Sequence, residues 1–421
     1  MRAINYRELK KLHDKLGGPK FARHLDEAMD PEQTPHGTLM AQDFSILELA
    51  RVCFGDDRLR DVRAGTRLLT EAGDGVDYST FTNITGRIVS NTVMQAYRKE
   101  TSALSQLIST ETNVRIDNER LPGFTGLGDA ANPVHPGMPF DRVGYTEDYQ
   151  DMPRGQKYGL IVPVTKEAIF FDRTGQILRE AQKVGESLAY RKEREIAQLI
   201  LGITANYSWA GTTYRTYLPG PVTAAAPWDN IHDAMLEDWT DIDEAERLFD
   251  QMTDPNTSQP IIIGEAGLTV LVMPAKYATA SRILTATQVR HTMGVVNTVS
   301  ANPLSGYVLG PKSRILRAEA VATNDFGNPN EIWWLGDFKK AFVYRENWPV
   351  QVMQAPTNSQ DEWDRDIVAQ FKGTERGVAA VLDPRYVVVS SSSCGHSSSG
   401  ATECTEDAWP SYDSNGGSAT R

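Results

Sequence analysis

A chain of 421 residues, 40% hydrophobic and 23% charged, is long enough for two or more cored domains and ordinary enough in composition to be globular. Its net charge of −12 excludes a surface built to grip nucleic-acid phosphates, which needs a basic stripe, but not one that encloses nucleic acid without binding it. Three cysteines, Cys53, Cys394 and Cys404, exclude a disulfide framework and a zinc ligand set, and fit a reducing compartment. Cys394 and Cys404 lie in the tail, where they either stay free or pair after release into an oxidising medium.

Residues 1–75 read as short helices, Tyr6 to Leu16, Phe21 to Met29, Ser45 to Val52 and Arg58 to Ala72, punctuated by Pro31, Pro35 and glycines. Each is too short to be stable without a partner surface. The start of the chain lacks the apolar run of a signal peptide, and the longest apolar runs, such as Leu268 to Pro274, are too short to span a bilayer. Synthesis and folding in the cytoplasm, with no membrane partner, are therefore expected. Tyr78 to Ile108 is a stronger helix, with Phe81, Ile84, Ile88, Val93 and Tyr97 along one stripe. Ser109 to Leu121 reads as an extended strand and Gly123 to Gly137 as a connector.

A long polar hairpin comes next. Phe140 to Tyr149 runs out, Met152-Pro-Arg-Gly155 turns, and Gln156 to Val164 returns. Proline second and glycine fourth suit a tight turn. Charges on both faces leave such a hairpin nothing of its own to pack against, which points to a neighbouring subunit. It feeds a helix from about Gln176 to Leu201, roughly 39 Å long at the standard rise. Ile177, Ala181, Val184 and Leu188 form its apolar stripe, which Ile196, Leu199 and Ile200 resume; Arg179, Glu180, Lys183, Glu186, Arg191, Lys192 and Glu193 form the polar side.

Beyond Gly202 the pattern mixes. Trp228 to Trp239, Asp241 to Met252 (with Asp241 as cap and Glu244 three residues on) and Ala275 to Ala286 suggest helices. Strands are expected at Pro260 to Ile263, Thr269 to Met273, Glu331 to Leu335, Lys340 to Tyr344, Val350 to Met353, Ile367 to Phe371 and Val378 to Leu382. Without a βαβ rhythm this is α+β. From Ser390 the chain becomes Ser- and Gly-rich and cannot bury enough apolar surface to offset ordering entropy.

Chemistry is hard to find. The seven histidines make no metal-ligand spacing, no P-loop is present, and Gly126-Leu-Gly128 fails the dinucleotide fingerprint at its third glycine. Asp361-Glu-Trp-Asp-Arg-Asp366 concentrates carboxylates but lacks a glycine-centred calcium loop, and reads as a solvated strand entry. Gly395-His-Ser-Ser-Ser-Gly400 misses the spacing of a nucleophile elbow. No catalytic, cofactor or metal residues are assigned. Tyr158, Trp333, Trp334 and Trp348 read as core or interface anchors.

The order of elements resembles the major capsid proteins of tailed phages, with the Hong Kong 97-like fold. Three stretches carry the resemblance: the loop Pro139 to Val164 entering Thr165-Lys-Glu-Ala-Ile-Phe-Phe-Asp172; the spine helix Gln176 to Gly202 with Gly185 inside it; and the closing run Asp364 to Arg385, with its terminal Pro384-Arg385 edge. A looser match is Asp77 to Tyr97, similar to capsid domains fused behind a prohead protease. The resemblance implies residues 1–75 as a scaffold-like segment or arm and 76–138 as N-arm and connector. It implies 139–165 as extended loop, 166–224 as peripheral domain with the spine helix and 225–345 as axial domain. Residues 346–389 would be closing peripheral strands and 390–421 a Ser-rich tail.

It further implies a virion subunit, assembled in the bacterial cytoplasm into pentamers and hexamers of an icosahedral shell. That shell would enclose double-stranded DNA without specific binding, with portal and scaffold or protease as assembly partners. Arg142, Tyr145, Glu147, Tyr149, Arg154, Lys157 and Tyr158 are then the loop residues expected at subunit contacts. Some relatives crosslink a loop lysine to a neighbour's asparagine with help from a glutamate. Lys157 would stand for the lysine, but Ile367 falls at the asparagine and Thr374 at the acid, so no crosslink is expected. The alternatives are an encapsulin-type nanocompartment and, from another class, a hydrolase with an undetected site.

Overall fold

In the computed structural model the chain is described over residues 6–17, 20–21, 23–25, 48–49, 52–53, 75–100, 103–113, 120–124, 147–165, 174–203, 206–209, 211–220, 222, 227–253, 260–264, 267–293, 296–304, 306–323, 328–355 and 367–390. Its first elements are α1 (Tyr6–Leu16), α2 (Gly75–Glu100), β1 (Ser109–Thr112), β2 (Arg120–Phe124), β3 (Glu147–Asp151), β4 (Gln156–Thr165) and the spine helix α3 (Thr174–Ile200). They are followed by β5 (Asn206–Trp209), β6 (Thr212–Arg215), β7 (Ile231–His232), α4 (Trp239–Asp250), β8 (Thr269–Val272) and α5 (Tyr277–Thr285). The remainder are β9 (Gln288–Met293), β10 (Val296–Ala301), β11 (Val308–Leu309), α6 (Arg314–Thr323), β12 (Trp333–Gly336), α7 (Phe338–Ala341), β13 (Phe342–Gln354), β14 (Ile367–Val381) and β15 (Val387–Ser390). Helices and strands are mixed, as an α+β chain requires.

The chain divides into two compact units, each discontinuous in sequence: residues 1–101, 157–191 and 348–376 in the first, and 102–156, 192–347 and 377–421 in the second.

The first unit is built on one apolar cluster. α2 contributes Ile84, Ile88, Val89 and Val93, α3 contributes Ile177, Ala181, Val184 and Leu188, and Val162, Val350 and Phe371 come from strands. The stripe read on both helices is therefore the buried one. Leu9, Phe21, Leu25, Leu49, Val52 and Cys53 join the same cluster, so the N-terminal segment finds the partner surface its short helices need. α2 and α3 meet at Gly185: a Cβ there would collide with the Val93 carbonyl oxygen and lie 2.9 Å from the Ala96 Cβ. Only a residue without a side chain lets the backbones come that close. Strand order within this unit is β13-β14-β4.

The second unit centres on a five-stranded sheet, β11-β8-β12-β15-β7. β12 lies antiparallel to β8 and β15 (Trp334↔Leu271 and Val389), with Trp333 and Trp334 fully buried in the core. Such near-continuous apolar runs are expected of strands covered on both faces. Asn230 ties its segments together: Nδ2 donates to the Thr216, Pro384 and Val387 carbonyls and Oδ1 accepts from the Leu218 N–H. That demand for extended backbone, with the β7–β15 pairing, is why Trp228 to Trp239 is not the helix its composition suggests. The following helix starts at Trp239, capped by Asp238 with Asp241 as its N3 partner, so Asp241 is the far side of the capping box instead of the cap.

Three further readings need correction. Ser109 to Leu121 is not one strand: β1 pairs with β13 and β2 with β3. The two closing strands are a single 15-residue β14. The antiparallel ribbon β9–β10, Gln288↔Ala301 to Met293↔Val296, was not foreseen, because its alternation is masked by Arg, His and Thr.

Candidate assembly surface

Met152 to Gly155 links two strands, as the sequence places it, but as irregular chain and not the tight turn expected, and the strands flanking it do not form a hairpin. β3 pairs antiparallel with β2 (Arg120↔Asp151 to Phe124↔Glu147) and bridges β5 through Gln150↔Trp209, giving the order β2-β3-β5-β6. β4 lies in another sheet, at the end of the order, beside β14. Alternation and turn chemistry predict that two strands flank a turn; they do not say which partner each will take.

In the second unit, the outgoing strand has contacts of its own. Gln150 is buried and donates through Nε2 to the Val381 carbonyl at 2.6 Å. Met152 is buried with Val343 and Ala380. Arg120 Nε bonds Asp151 Oδ1 at 2.8 Å and its guanidinium covers the Tyr149 ring, 4.5 Å from the centroid. The expectation that this strand has nothing to pack against is overturned.

In the first unit, the returning strand is divided. Val162 and Val164 face the core, while Lys157, Gly159, Leu160 and Ile161 are exposed, Leu160 at 43% and Ile161 at 56%. Gly159 lets β4 approach β14, since a Cβ would lie 2.7 Å from the Gly373 oxygen and from Thr374 Cγ2. Beneath the strand, Tyr158 is covered by the Arg191 guanidinium, which lies 3.6 Å from the buried Glu375 carboxylate; Tyr97 donates to that carboxylate at 3.3 Å. A buried carboxylate survives only when paired in this way.

The seven residues singled out from the sequence therefore scatter. Arg142 and Tyr145 lie outside the described residues, and so does Asp361 to Asp366. Glu147 belongs to the paired strand β3. Tyr149 and Tyr158 each lie under an arginine, and Arg154 and Lys157 are exposed, before β4 and at its head. Sequence reasoning missed Arg120, Gln150, Arg191 and Glu375, and it passed over Leu160 and Ile161, whose adjacency in an otherwise alternating strand was the available signal.

The polar side of the spine helix also departs from expectation in the second unit. Lys192 and Glu193 are buried. Glu193 accepts from the Leu104 and Ser105 N–H groups at 2.8 and 3.1 Å, and Glu195 from the Ala379 N–H at 3.0 Å. Lys192 lies 3.7 Å from Glu346 and over the Tyr344 ring. These charges hold loops and strand ends; they are not a solvated face.

One serine, histidine and glutamate come together: His232 Nδ1 lies 3.1 Å from Ser390 Oγ and His232 Nε2 lies 3.8 Å from Glu244. Ser390 is fully buried, and its hydroxyl donates to the Ala234 carbonyl at 2.6 Å. Neither a free nucleophile nor substrate access exists there. Burial lowers the His232 pKa, against the opposing pull of Glu244, Asp241 and Asp233. Among the described residues no cluster of histidine, cysteine and carboxylates is placed to hold a metal ion, and no helix is long and apolar enough to cross a membrane.

Buried charges in this α+β chain are tied to its own backbone and side chains, and two adjacent exposed apolar residues, Leu160 and Ile161, lie on the terminal strand β4. A family model described as phage capsid protein matches residues 148–390, from β3 through the spine helix to the end of β15. The match spans more than half of the chain, and the chain belongs to that family. Among solved structures, a virus-like particle from Pyrococcus furiosus is similar at 11% identity, covering 72% of this chain and 97% of that one, with a TM-score of 0.36. The capsid of cyanophage Pam1 is similar at 11% identity over 67% and 87% (TM-score 0.43), and the mature capsid of bacteriophage PhiM1 at 14% over 69% and 86% (0.39). Curated proteins give no match.

Proposed function

We propose that this chain is the major head subunit of a tailed phage or prophage, with the Hong Kong 97-like fold, closing copies of itself into an icosahedral shell around double-stranded DNA. The observation that carries the reading is the phage-capsid family match over residues 148–390. A net charge of −12 suits an enclosure that must not adhere to its contents. Assembly in the host cytoplasm, with portal and scaffold or protease as partners, belongs to the same reading. The test is negative-stain electron microscopy with mass photometry of the chain expressed alone. Closed shells or capsomer rings support the reading, and particle size separates a phage head from a small nanocompartment. A persistent monomer that co-expressed scaffold and portal do not rescue would overturn it.

The contact between subunits is proposed to involve the exposed half of β4: Lys157, Leu160 and Ile161. A long terminal strand with exposed apolar residues is the kind of edge that another chain covers. Deleting Tyr145 to Tyr158 is not the way to test it, since β3 is integral to its own sheet. Leu160→Ser with Ile161→Thr leaves the buried residues untouched. A folded subunit that no longer forms shells is expected; normal particle yield would sink the role of this edge.

A further inference from the structure

The second unit carries a cavity that shell assembly does not explain. It measures about 490 Å³ and is lined by Leu107, Tyr277, Val308, Leu309, Pro311 and Phe338, among others. That size is in the range of sites that take a small ligand or an aromatic side chain. Its wall includes β11, the terminal strand of the five-stranded sheet. Val308 and Gly310 give their N–H groups to Leu268 and Val270, so the intervening Leu309 turns its backbone to the other side. Among the described residues no strand pairs there, and Val308 is 61% exposed. The rim carries positive charge: Lys339 lines it and Lys312 lies over the Tyr277 ring, both exposed, while Asp337 in the lining is paired with Lys340 at 3.6 Å.

The C-terminal tail contains one segment of complementary character. After the serine-rich stretch, Glu403-Cys-Thr-Glu-Asp-Ala-Trp-Pro-Ser-Tyr-Asp413 gathers four carboxylates and the tail's two aromatics, Trp409 and Tyr412. A spacer followed by an acidic aromatic segment has the composition of a tethered recognition motif. Large aromatics in pockets supply most of the energy of such contacts, and charge on the rim sets their specificity.

We propose that the segment Glu403 to Asp413 docks in this cavity on its own chain, with Trp409 or Tyr412 in the apolar pocket and Glu406 and Asp407 against the lysine rim. The distance allows it. The described chain ends in β15, three strands from β11, or about 14 Å across the sheet at the usual strand spacing, and Ser390 lies level with Val272, about 10 Å along the strands from Thr269 in the lining, for a separation of roughly 17 Å. The dozen or so residues before Glu403 have a root-mean-square reach of roughly 20 Å for their Ser- and Gly-rich composition. The inference is independent of shell formation and stands or falls on its own measurement.

The test is hydrogen exchange with mass spectrometry on the full chain, against a synthetic peptide of residues 403–413. Docking predicts exchange at 403–413 slowed about five-fold or more relative to the free peptide. It also predicts faster exchange at Val308 to Lys312 in the Trp409→Ala, Tyr412→Ala variant. Lys312→Glu with Lys339→Glu, both at exposed positions, should release the segment, and salt should weaken it. Exchange in the full chain equal to that of the free peptide would overturn the proposal. Protection that survives the lysine reversals would overturn the cavity as its site, and protection lost on dilution would mean that the occupant comes from a second copy.

Discussion

The two halves of the spine helix are held by different physics. From Ile177 to Leu188, in the first unit, it buries a plain apolar stripe and presses against α2 at Gly185. From Lys192 to Ile200, in the second unit, it buries Ile196, Ala197, Leu199 and Ile200 as well, but it is fixed in addition by named polar bonds: Glu193 to two backbone N–H groups, Glu195 to a strand N–H, and Glu319 shared between Arg194 at 2.9 Å and Gln198 at 2.7 Å. Burial of an apolar stripe is non-directional and tolerates exchange of one apolar residue for another. A buried carboxylate facing two amide donors tolerates very little, since removing it leaves both donors unpaired. One helix thus combines a forgiving half with an exacting half.

The largest effect should come from the one exacting point of the forgiving half. Gly185→Leu forces α2 and α3 apart and is expected to cost about 3 kcal/mol or more, read by urea denaturation; a loss below about 1 kcal/mol would mean that the helices are free to separate. Ile177→Ala should cost about 3 kcal/mol and Ile177→Leu less than about 1.5, a spread that marks area burial without fine geometry. Glu193→Ala should cost about 2 kcal/mol, and Glu193→Gln, which keeps one acceptor oxygen, about half of that. Equal costs for the two would show that the carboxylate's bonds to Leu104 and Ser105 matter less than its charge.

The smallest effect concerns pH and extends the contrast to a second buried polar group of the exacting unit. His232 has a folded pKa below its unfolded value near 6.5, so below that pH the unfolded chain takes up the proton more readily. Stability should fall as pH drops through 6.5 towards the lower folded value, and His232→Gln should remove that part of the slope. Melting temperatures of both proteins between pH 7.5 and 5 check it; identical slopes would place the titration elsewhere.

What was legible in the sequence follows the same division. The forgiving half is readable because periodicity reports area: the spacing of Ile177, Ala181, Val184 and Leu188 puts them on one face, which is the buried one, with Gly185 inside the helix. In the exacting half the resumed stripe of Ile196, Leu199 and Ile200 is buried as periodicity indicates, but Lys192 and Glu193, on the polar side, are buried too, and they differ from exposed charges only in partners about 150 and 90 residues away in the chain. The break between two strands at Met152 to Gly155 is legible from proline and glycine, whereas the partners of β3 and β4 depend on non-local pairing. Trp228 to Trp239 failed as a helix for a similar reason, since the three carbonyls that claim Asn230 come from distant segments. Of the expected contact residues, Arg154 and Lys157 are exposed, while Tyr149 and Tyr158 are drawn under arginines with which no local pattern pairs them.

The interleaving of the two units also bears on how the protein is made. The first unit needs residues 348–376 for its last strands, and the second needs β15, which ends at Ser390. α2 therefore emerges from the ribosome long before the strands that complete its core, a wait of tens of seconds at ordinary elongation rates. The first unit is not finished until residue 376, nor the second until Ser390, has left the tunnel, so before that point a nascent subunit has no complete surface to offer another copy. Chain topology keeps self-association a property of finished molecules, and it leaves α2's apolar stripe as the part of the nascent chain most in need of a chaperone.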